Sequence, residues 1–165
     1  MADTQSAVPD DVPVLFRAAM RRLAASVSIV VACDEEGPPT GMAATSITSL
    51  TVDPPAVLVC VNRTASLHAL LVPRAPLSIN LLSRHQQDVS AAFGGGVPRE
   101  RRFEIGNWRD NGYGLPMLDE AQANLRCVID AMLAYGTHSI VIARVLEVRV
   151  SDHVAPLIYQ DGRYL

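Results

Sequence analysis

Six short runs of apolar, small or β-branched residues constrain the fold of this chain more than any other feature. Most of them have the length of a β-strand, and few long helical patterns lie between them. Strands that follow one another in this way favour an antiparallel barrel with a few helices outside it. We therefore predict a mainly β fold with peripheral helices. The runs are residues 27–33, 41–49, 56–61, 77–82, 125–133 and 138–150.

Helical segments are predicted around these strands. Residues 14–25 place apolar side chains at helical spacing with arginines on the opposite side, which indicates an amphipathic helix lying on a core. Shorter helical segments are indicated at residues 65–71, 86–93 and 98–105, the second of them ended by three glycines.

The pattern predicts a single domain. Residues 1–12 are polar and contain proline, which favours a loose tail. The chain has 165 residues and 49% hydrophobic content, enough for one sizeable core. No repeat, linker or low-complexity segment divides it further, so residues 13–165 are expected to form one unit.

Charge excludes several functions. The formal net charge is −3, and all 14 basic residues are arginines, so neither a polyanion-binding role nor a lysine nucleophile is expected.

No apolar run approaches the ~20 residues that cross a bilayer, and the N-terminus lacks the features of a signal peptide. We therefore expect a soluble, cytoplasmic protein that binds neither nucleic acid nor membrane.

The cysteines and histidines do not indicate a metal site. Cys33, Cys60 and Cys127 are widely spaced, odd in number and set in apolar surroundings, which predicts buried free thiols rather than disulfides. The four histidines show no ligand spacing relative to one another. No metal is expected.

Residues 41–50 combine strand propensity with small and hydroxylated side chains. Thr45, Ser46, Thr48 and Ser49 offer hydroxyl groups, while the small residues give a strand little to pack against a core. Small side chains let a flat molecule approach the backbone closely. This segment therefore predicts a strand that contacts a ring-bearing cofactor.

A second candidate site follows the next strand, at Asn62, Arg63, Thr64 and Ser66. The arginine fork, a hydroxyl and the amides at a helix start can together hold a phosphate. The alternative is an ordinary helix cap with a surface arginine, which is the commoner meaning of such a segment. Its place one strand after the hydroxyl-rich segment favours the phosphate site.

His138 begins the last long run, directly after a predicted turn. A turn there leaves its imidazole at the rim of the sheet, where the side chain can act in chemistry. The alternative is a structural histidine, which is commoner.

Familiar nucleotide and hydrolase motifs are absent from the sequence. There is no GxGxxG fingerprint, no P-loop and no GxSxG elbow, and the three glycines at residues 94–96 follow a helix rather than a strand. The sequence therefore contains no motif that supports hydrolase chemistry.

In their shared order, these segments resemble the short flavin reductases with an FMN-binding split β-barrel. Those proteins are the reductase components of two-component flavin monooxygenases, such as 4-hydroxyphenylacetate 3-monooxygenase. The resemblance covers nearly the whole chain. It is carried by Phe16-Arg17, residues 41–55, 62–66 and 78–82, Phe93-Gly94-Gly95, Arg102-Phe103-Glu104, Trp108, Gly136-Thr137-His138, residues 156–159 and Gly162-Arg163-Tyr164.

The resemblance also implies roles for individual residues. His138 is expected beside the hydride-transfer site, where it steadies the nicotinamide and the reduced flavin, and Phe103 is expected near either ring. Two positions depart from the family pattern: Thr137 stands where the family usually has Asp, and Ala43 where relatives often have Thr. The implied flavin contacts are Ala44, Thr45 and Ser46 for the ring, and Asn62, Arg63 and Ser66 for the ribityl phosphate.

The implied function is an NAD(P)H:flavin oxidoreductase. It would transfer hydride from NADH or NADPH to FMN or FAD and pass the reduced flavin to a separate oxygenase component. The resemblance further implies a homodimer with the flavin near the subunit interface. Two alternatives with the same fold stay open: a non-catalytic flavin-binding protein, and a flavoenzyme like pyridoxamine-phosphate oxidase.

Overall fold

A computed structural model describes residues 9–34, 37–110 and 114–165. Within these ranges the chain is mainly β, and each longer run of apolar residues forms a strand. The strands are β1 (Ala25–Ser26), β2 (Ser28–Ala32), β3 (Thr40–Ala44), β4 (Ile47–Val52), β5 (Pro55–Asn62), β6 (Pro76–Leu81), β7 (Trp108–Asp110), β8 (Pro116–Leu118), β9 (Ala123–Tyr135), β10 (His138–Val150), β11 (Ile158–Gln160) and β12 (Arg163–Tyr164).

Short helices lie beside the strands. The α-helices are α1 (Val12–Met20) and α2 (Gln87–Ala91), and α2 continues into a wide turn at Ala92–Gly96. Gly95 breaks the helical path inside that turn at a φ of 111°, a conformation open to glycine. Two 3₁₀ helices span Ser66–Leu70 and Arg99–Glu104. None of the described helices is long and apolar enough to cross a membrane.

Seven strands form one antiparallel sheet in the order β3-β2-β6-β9-β10-β5-β4. Its two edge strands, β3 and β4, are consecutive in the chain and are separated only by Thr45 and Ser46. The sheet must therefore curl until its edges approach each other, although β3 and β4 do not pair. A split β-barrel results, and the predicted fold class is confirmed.

Two hydrophobic clusters stabilise this architecture. The first fills the barrel with alternate residues of its strands, including Val59, Ile79 and Val141, each 0% exposed. The second lies outside β2, where Ile29 and Val31 pack against Phe93 and the loops that follow α2. Strand β2 is buried on both faces for this reason, whereas β10 buries only every second residue.

The segment at residues 41–49 forms two strands, so the prediction of a single strand was wrong. β3 ends at Ala44, β4 begins at Ile47, and Thr45 and Ser46 carry the chain from one edge of the sheet to the other. A continuous strand would have to keep one set of neighbours, whereas β3 pairs with β2 and β4 pairs with β5.

The first helix also departs from its prediction. It spans Val12–Met20 rather than residues 14–25, and none of its residues is buried. The barrel interior is filled by strand residues, and the helix joins the rest of the chain at its C-terminal end. There Arg21 Nε donates to Asp161 Oδ1 at 2.8 Å. Its amphipathic pattern therefore faces an open groove instead of a core. The predicted tail falls largely at residues 1–8, outside the described ranges.

Candidate active site

Three of the predicted site residues meet at one corner of the barrel. Gly136 adopts a φ of 54° in the tight turn between β9 and β10, and His138 follows as the exposed first residue of β10. His138 lies directly opposite Asn62 in the pairing of β10 with β5. The Arg63 backbone N–H donates to the Thr137 carbonyl at 2.9 Å. The turn therefore fixes His138 beside Asn62 and Arg63.

Asn62 organises the chain that leaves β5. Its Oδ1 accepts hydrogen bonds from the backbone N–H and the hydroxyl of Thr64, each at 3.0 Å. The predicted helix is a five-residue 3₁₀ helix that begins at Ser66. The Arg63 guanidinium makes one long contact, 3.4 Å to the Gly136 carbonyl, and the Ser66 hydroxyl has no partner among the described residues. Asn62 thus holds the turn, while Arg63 and Ser66 retain hydrogen-bond donors.

A hydrogen bond ties this turn to the strand that carries His138. His68 Nε2 lies 2.9 Å from Ser139 Oγ, and Ser139 is only 4% exposed. Leu67, beside His68, is fully buried in the barrel core. The sequence analysis gave His68 no role, because the partner is 71 positions away and no local pattern links them.

Thr45 opens onto a cavity of about 290 Å³ at the split of the barrel, whereas Ser46 does not line it. Ala44 and Thr45 line this cavity, and Ala44 is 7% exposed. Ser46 Oγ donates to the Cys60 carbonyl of β5 at 2.8 Å. The Thr45 hydroxyl makes no hydrogen bond within the described chain. At the break between β3 and β4, the Ser46 hydroxyl is therefore already hydrogen-bonded, whereas the Thr45 hydroxyl is free.

The opposite wall of this cavity comes from the C-terminal hairpin and α2. Tyr159 and Tyr164 face each other across β11 and β12 with ring centroids 5.3 Å apart, and the Tyr164 hydroxyl donates to Ser90 Oγ at 2.9 Å. The sequence analysis did not assign these residues to the site. A signal was present, because an Asp-Gly pair between two tyrosines is typical of a tight hairpin. Asp161 and Gly162 adopt φ angles of 51° and 84° there.

Phe103 lies apart from the other predicted residues. It packs against Phe93 and Trp108, with ring centroids 5.0 and 5.1 Å away. This cluster lies beside Gly41, near the start of β3, whereas Thr45 follows the end of that strand. Arg102 fixes the arrangement by donating to the Gly41 carbonyl at 3.1 Å.

The thiols have no place in this corner. Cys33, Cys60 and Cys127 are free, and of the three only Cys127 is fully buried. Burial raises the pKa of Cys127 to about 12 and also raises the pKa of Cys33, so neither ionises readily near neutrality. The described residues contain no cluster of acidic, histidine or cysteine side chains that could hold a metal ion.

Comparison with known proteins adds to this geometry. Residues 20–165 match the model of the flavin reductase like domain. FMN reductase (NADH) RutF 2 of Rhizobium rhizogenes (strain K84 / ATCC BAA-868) is 41% identical over 94% of this chain and 90% of its own length. The reductase component of the FADH(2)-dependent resorcinol hydroxylase of Rhizobium sp. (strain MTP-10005) is 37% identical over 94% and 88%.

A solved structure extends the likeness to three dimensions. The NADH:FAD oxidoreductase SgcE6 of Streptomyces globisporus C-1027, in complex with NAD and FAD fragments, superposes with a TM-score of 0.85. It is 25% identical to this chain, and the match covers 97% of this chain and 95% of SgcE6.

Proposed function

The chain belongs to the flavin reductase like family, and we propose that it transfers a hydride from NADH to a flavin. The observation that carries this proposal is the corner where Asn62, Arg63 and His138 meet, on the strand next to the Thr45-Ser46 break. It combines phosphate donors with an exposed imidazole and a hydroxylated backbone edge. The match to a relative named as an NADH-dependent FMN reductase covers 94% of this chain, and the match to a solved NADH:FAD oxidoreductase covers 97% of it with a TM-score of 0.85.

The described residues fit a flavin nucleotide. Arg63 keeps most of its guanidinium donors free and Ser66 keeps its hydroxyl, which suits a phosphate. Thr45 offers a free hydroxyl at the split, and Ala44 presents no bulky side chain there. We propose that Ala44, Thr45 and Ser46 contact the ring, and that Asn62, Arg63 and Ser66 hold the phosphate end, with Asn62 acting through the turn that it caps.

The chain's own part in the reaction is to position the flavin and the nicotinamide. A bound flavin supplies the acceptor for the hydride. Arg63 and Ser66 fix the phosphate end, so that the ring is held in one orientation against Thr45 and Ser46. His138, at the exposed end of β10, can donate a hydrogen bond to a carbonyl of the nicotinamide or to negative charge that develops on the ring. We propose Phe103 only as a more distant wall, because it packs near Gly41.

We also propose a homodimer. The outer face of β5, β9 and β10, here called the outer β-face, carries Leu58, Leu133, Ile140, Ile142 and Leu146. Leu133 is 62% exposed and Leu146 46%, although both belong to long strands. An apolar patch of this kind on a sheet is typical of a subunit contact. His138 follows the same strand phase, so a second copy seated there would lie close to it.

The acceptor of the reduced flavin is proposed to be a separate oxygenase component. The relative that serves resorcinol hydroxylase is named as the reductase component of such a pair. We place the reaction in the cytoplasm, in keeping with three free thiols.

The test is a steady-state assay that follows NADH oxidation with added FMN, FAD and riboflavin. Flavin-dependent oxidation is expected with at least one of them, and NADPH serves as the comparison co-substrate. Absence of oxidation with both nucleotides would leave a flavin-binding protein without turnover. A yellow protein that retains its flavin and does not reduce added flavin would instead favour a flavoenzyme like pyridoxamine-phosphate oxidase.

A further inference from the structure

A second, larger groove adjoins the Thr45-Ser46 break. It has a volume of about 650 Å³ and lies between α1 and the C-terminal hairpin. Thr45 and Tyr159 line both this groove and the smaller cavity, so the two are neighbours across these side chains. The volume falls in the range of small-molecule sites, roughly 300–1,000 Å³. We call it the α1 groove.

One wall of the α1 groove is apolar and exposed. Phe16, Met20 and Leu23 line it and are 59%, 44% and 61% exposed. Tyr159 adds an aromatic ring on the side of the hairpin. Side chains of this kind can hold a flat heterocyclic ring between them.

Arg17 is the cation of this groove that remains available. Its guanidinium makes no hydrogen bond or ion pair with any described residue. The neighbouring arginines are engaged, since Arg21 pairs with Asp161 and Arg22 donates to the Ala18 carbonyl. Arg21 and Asp161 cancel each other's charge, which leaves the groove with the single positive charge of Arg17. A free guanidinium fork beside an apolar wall suits a phosphate attached to a planar base.

We propose that the α1 groove binds the ADP moiety of a dinucleotide, with the base on Phe16, Met20 and Tyr159 and the phosphates at Arg17. This inference rests on the proposed function, because NADH and FAD both carry an ADP moiety. Neither Asn62 nor Arg63 lines the groove. A flavin mononucleotide clipped at Arg63, with its ring against Thr45 and Ser46, therefore reaches only that edge of the groove and leaves the wall at Phe16, Arg17 and Met20 to the nicotinamide co-substrate.

The test compares Arg17→Gln with the matched variant Arg22→Gln. Arg22 lies just beyond the end of α1 and is not among the residues that line the groove. With FMN as acceptor, Arg17→Gln is expected to raise the KM for NADH about tenfold, as for the loss of a charged phosphate contact. The KM for reduced nicotinamide riboside, which lacks the whole ADP moiety, should stay within about twofold of its original value. Arg22→Gln should change neither of these two KM values.

A second arm identifies which dinucleotide occupies the groove. If the KM for FAD rises while those for NADH and FMN stay unchanged, the ADP moiety is that of FAD, and the proposal stands. An equal rise in the KM for NADH and in the KM for reduced nicotinamide riboside would overturn it. So would unchanged KM values for all substrates. A shift of Arg17→Gln towards smaller species in sedimentation, with unchanged KM values, would overturn it in favour of a second copy of the chain.

A binding measurement separates this proposal from the proposed function. Calorimetric titration with ADP-ribose needs no turnover, and the wild type is expected to bind it about tenfold more tightly than Arg17→Gln. If that difference is found in a protein that fails to oxidise NADH, the ADP site in the α1 groove stands and the proposed reductase function falls. If the protein is an active reductase but the wild type and Arg17→Gln bind ADP-ribose equally well, the ADP site falls and the reductase function stands.

Discussion

His138 and Asn62 are direct partners in the pairing of β10 with β5. Opposed residues of an antiparallel pair have Cα atoms about 4.5–5.5 Å apart and project to the same face of the sheet. The imidazole and Asn62, which caps the turn at Arg63 and Thr64, are therefore held at one corner by backbone pairing. Thr137 Oγ1 adds a contact of 2.9 Å to His138 Nδ1.

His138→Ala is expected to lower kcat by about 10- to 100-fold, while the flavin Kd stays within about twofold, since one hydrogen-bond donor to developing charge is lost. Steady-state kinetics and a flavin titration measure the two quantities. His153→Ala is the control, because His153 is exposed near the other end of β10. Unchanged kcat in His138→Ala would remove this residue from the mechanism.

Arg63→Ala is expected to weaken FMN more than riboflavin. A charge-assisted contact to phosphate contributes about 1.5–3 kcal/mol, or about 10- to 150-fold in Kd, and riboflavin has no phosphate. Fluorescence titration with both flavins measures this difference. Arg84→Ala serves as the control at another exposed arginine. The same loss for both flavins would mean that Arg63 does not hold the phosphate.

Gly41→Ala is expected to destabilise the fold by about 1–3 kcal/mol through overpacking. A Cβ at this position would lie 2.5 Å from Phe93 Cε1, and Phe93 is 3% exposed within its cluster. Urea denaturation measures the free energy of unfolding of each variant. Gly94→Ala is the matched control, since a Cβ there meets no atom within 4 Å. Equal stability of the two variants would contradict the close packing at Gly41.

Stability is expected to fall as the pH rises from about 9 towards 12. Cys127 has a pKa of about 12 in the folded chain, against 9.0 for an ordinary thiol, because burial opposes its ionisation. Between these values the unfolded chain loses the proton and the folded chain keeps it, which costs stability by up to about 1.4 kcal/mol per pH unit. Urea unfolding at pH 8 and pH 10 measures the fall. Cys127→Ala should reduce the difference between the two pH values, and an undiminished difference would assign it to other groups.

Leu133→Glu is expected to convert the proposed dimer into a monomer, because it places a charge on the outer β-face opposite Ile140. Analytical ultracentrifugation measures the change in mass. Val154→Glu is the control, since Val154 is 92% exposed and lies beyond the end of β10. A wild-type protein that sediments as a monomer at micromolar concentration would itself contradict the dimer.

Several parts of the fold were predictable because their causes are local. His138–Val150 forms a strand with the predicted bounds, since its alternation of apolar residues already encodes one buried face. The predicted runs at residues 56–61, 77–82 and 125–133 likewise lie within or overlap β5, β6 and β9. The turn before His138 followed from Gly136, which adopts a positive φ.

The errors came from features that depend on distant neighbours. The break at Thr45 and Ser46 exists because β3 and β4 pair with different strands, which the composition of the segment does not reveal. The exposed face of α1 resulted from the same cause: its pattern predicts an apolar partner, but the position of the helix is set by Arg21 and Asp161, 140 residues apart.

The sequence by itself determined most of the strands and the family resemblance, and it supplied the residues proposed to hold a ring and a phosphate, because propensity, turn chemistry and short motifs are properties of neighbouring residues. Tertiary structure alone decided which of them meet. Curling of the sheet brought the edges of β3 and β4 together at Thr45 and Ser46, and strand pairing set Asn62 beside His138. The hairpin and α1 then placed Tyr159 and Arg17 around the groove, through contacts between chain segments more than 130 residues apart that no local pattern encodes.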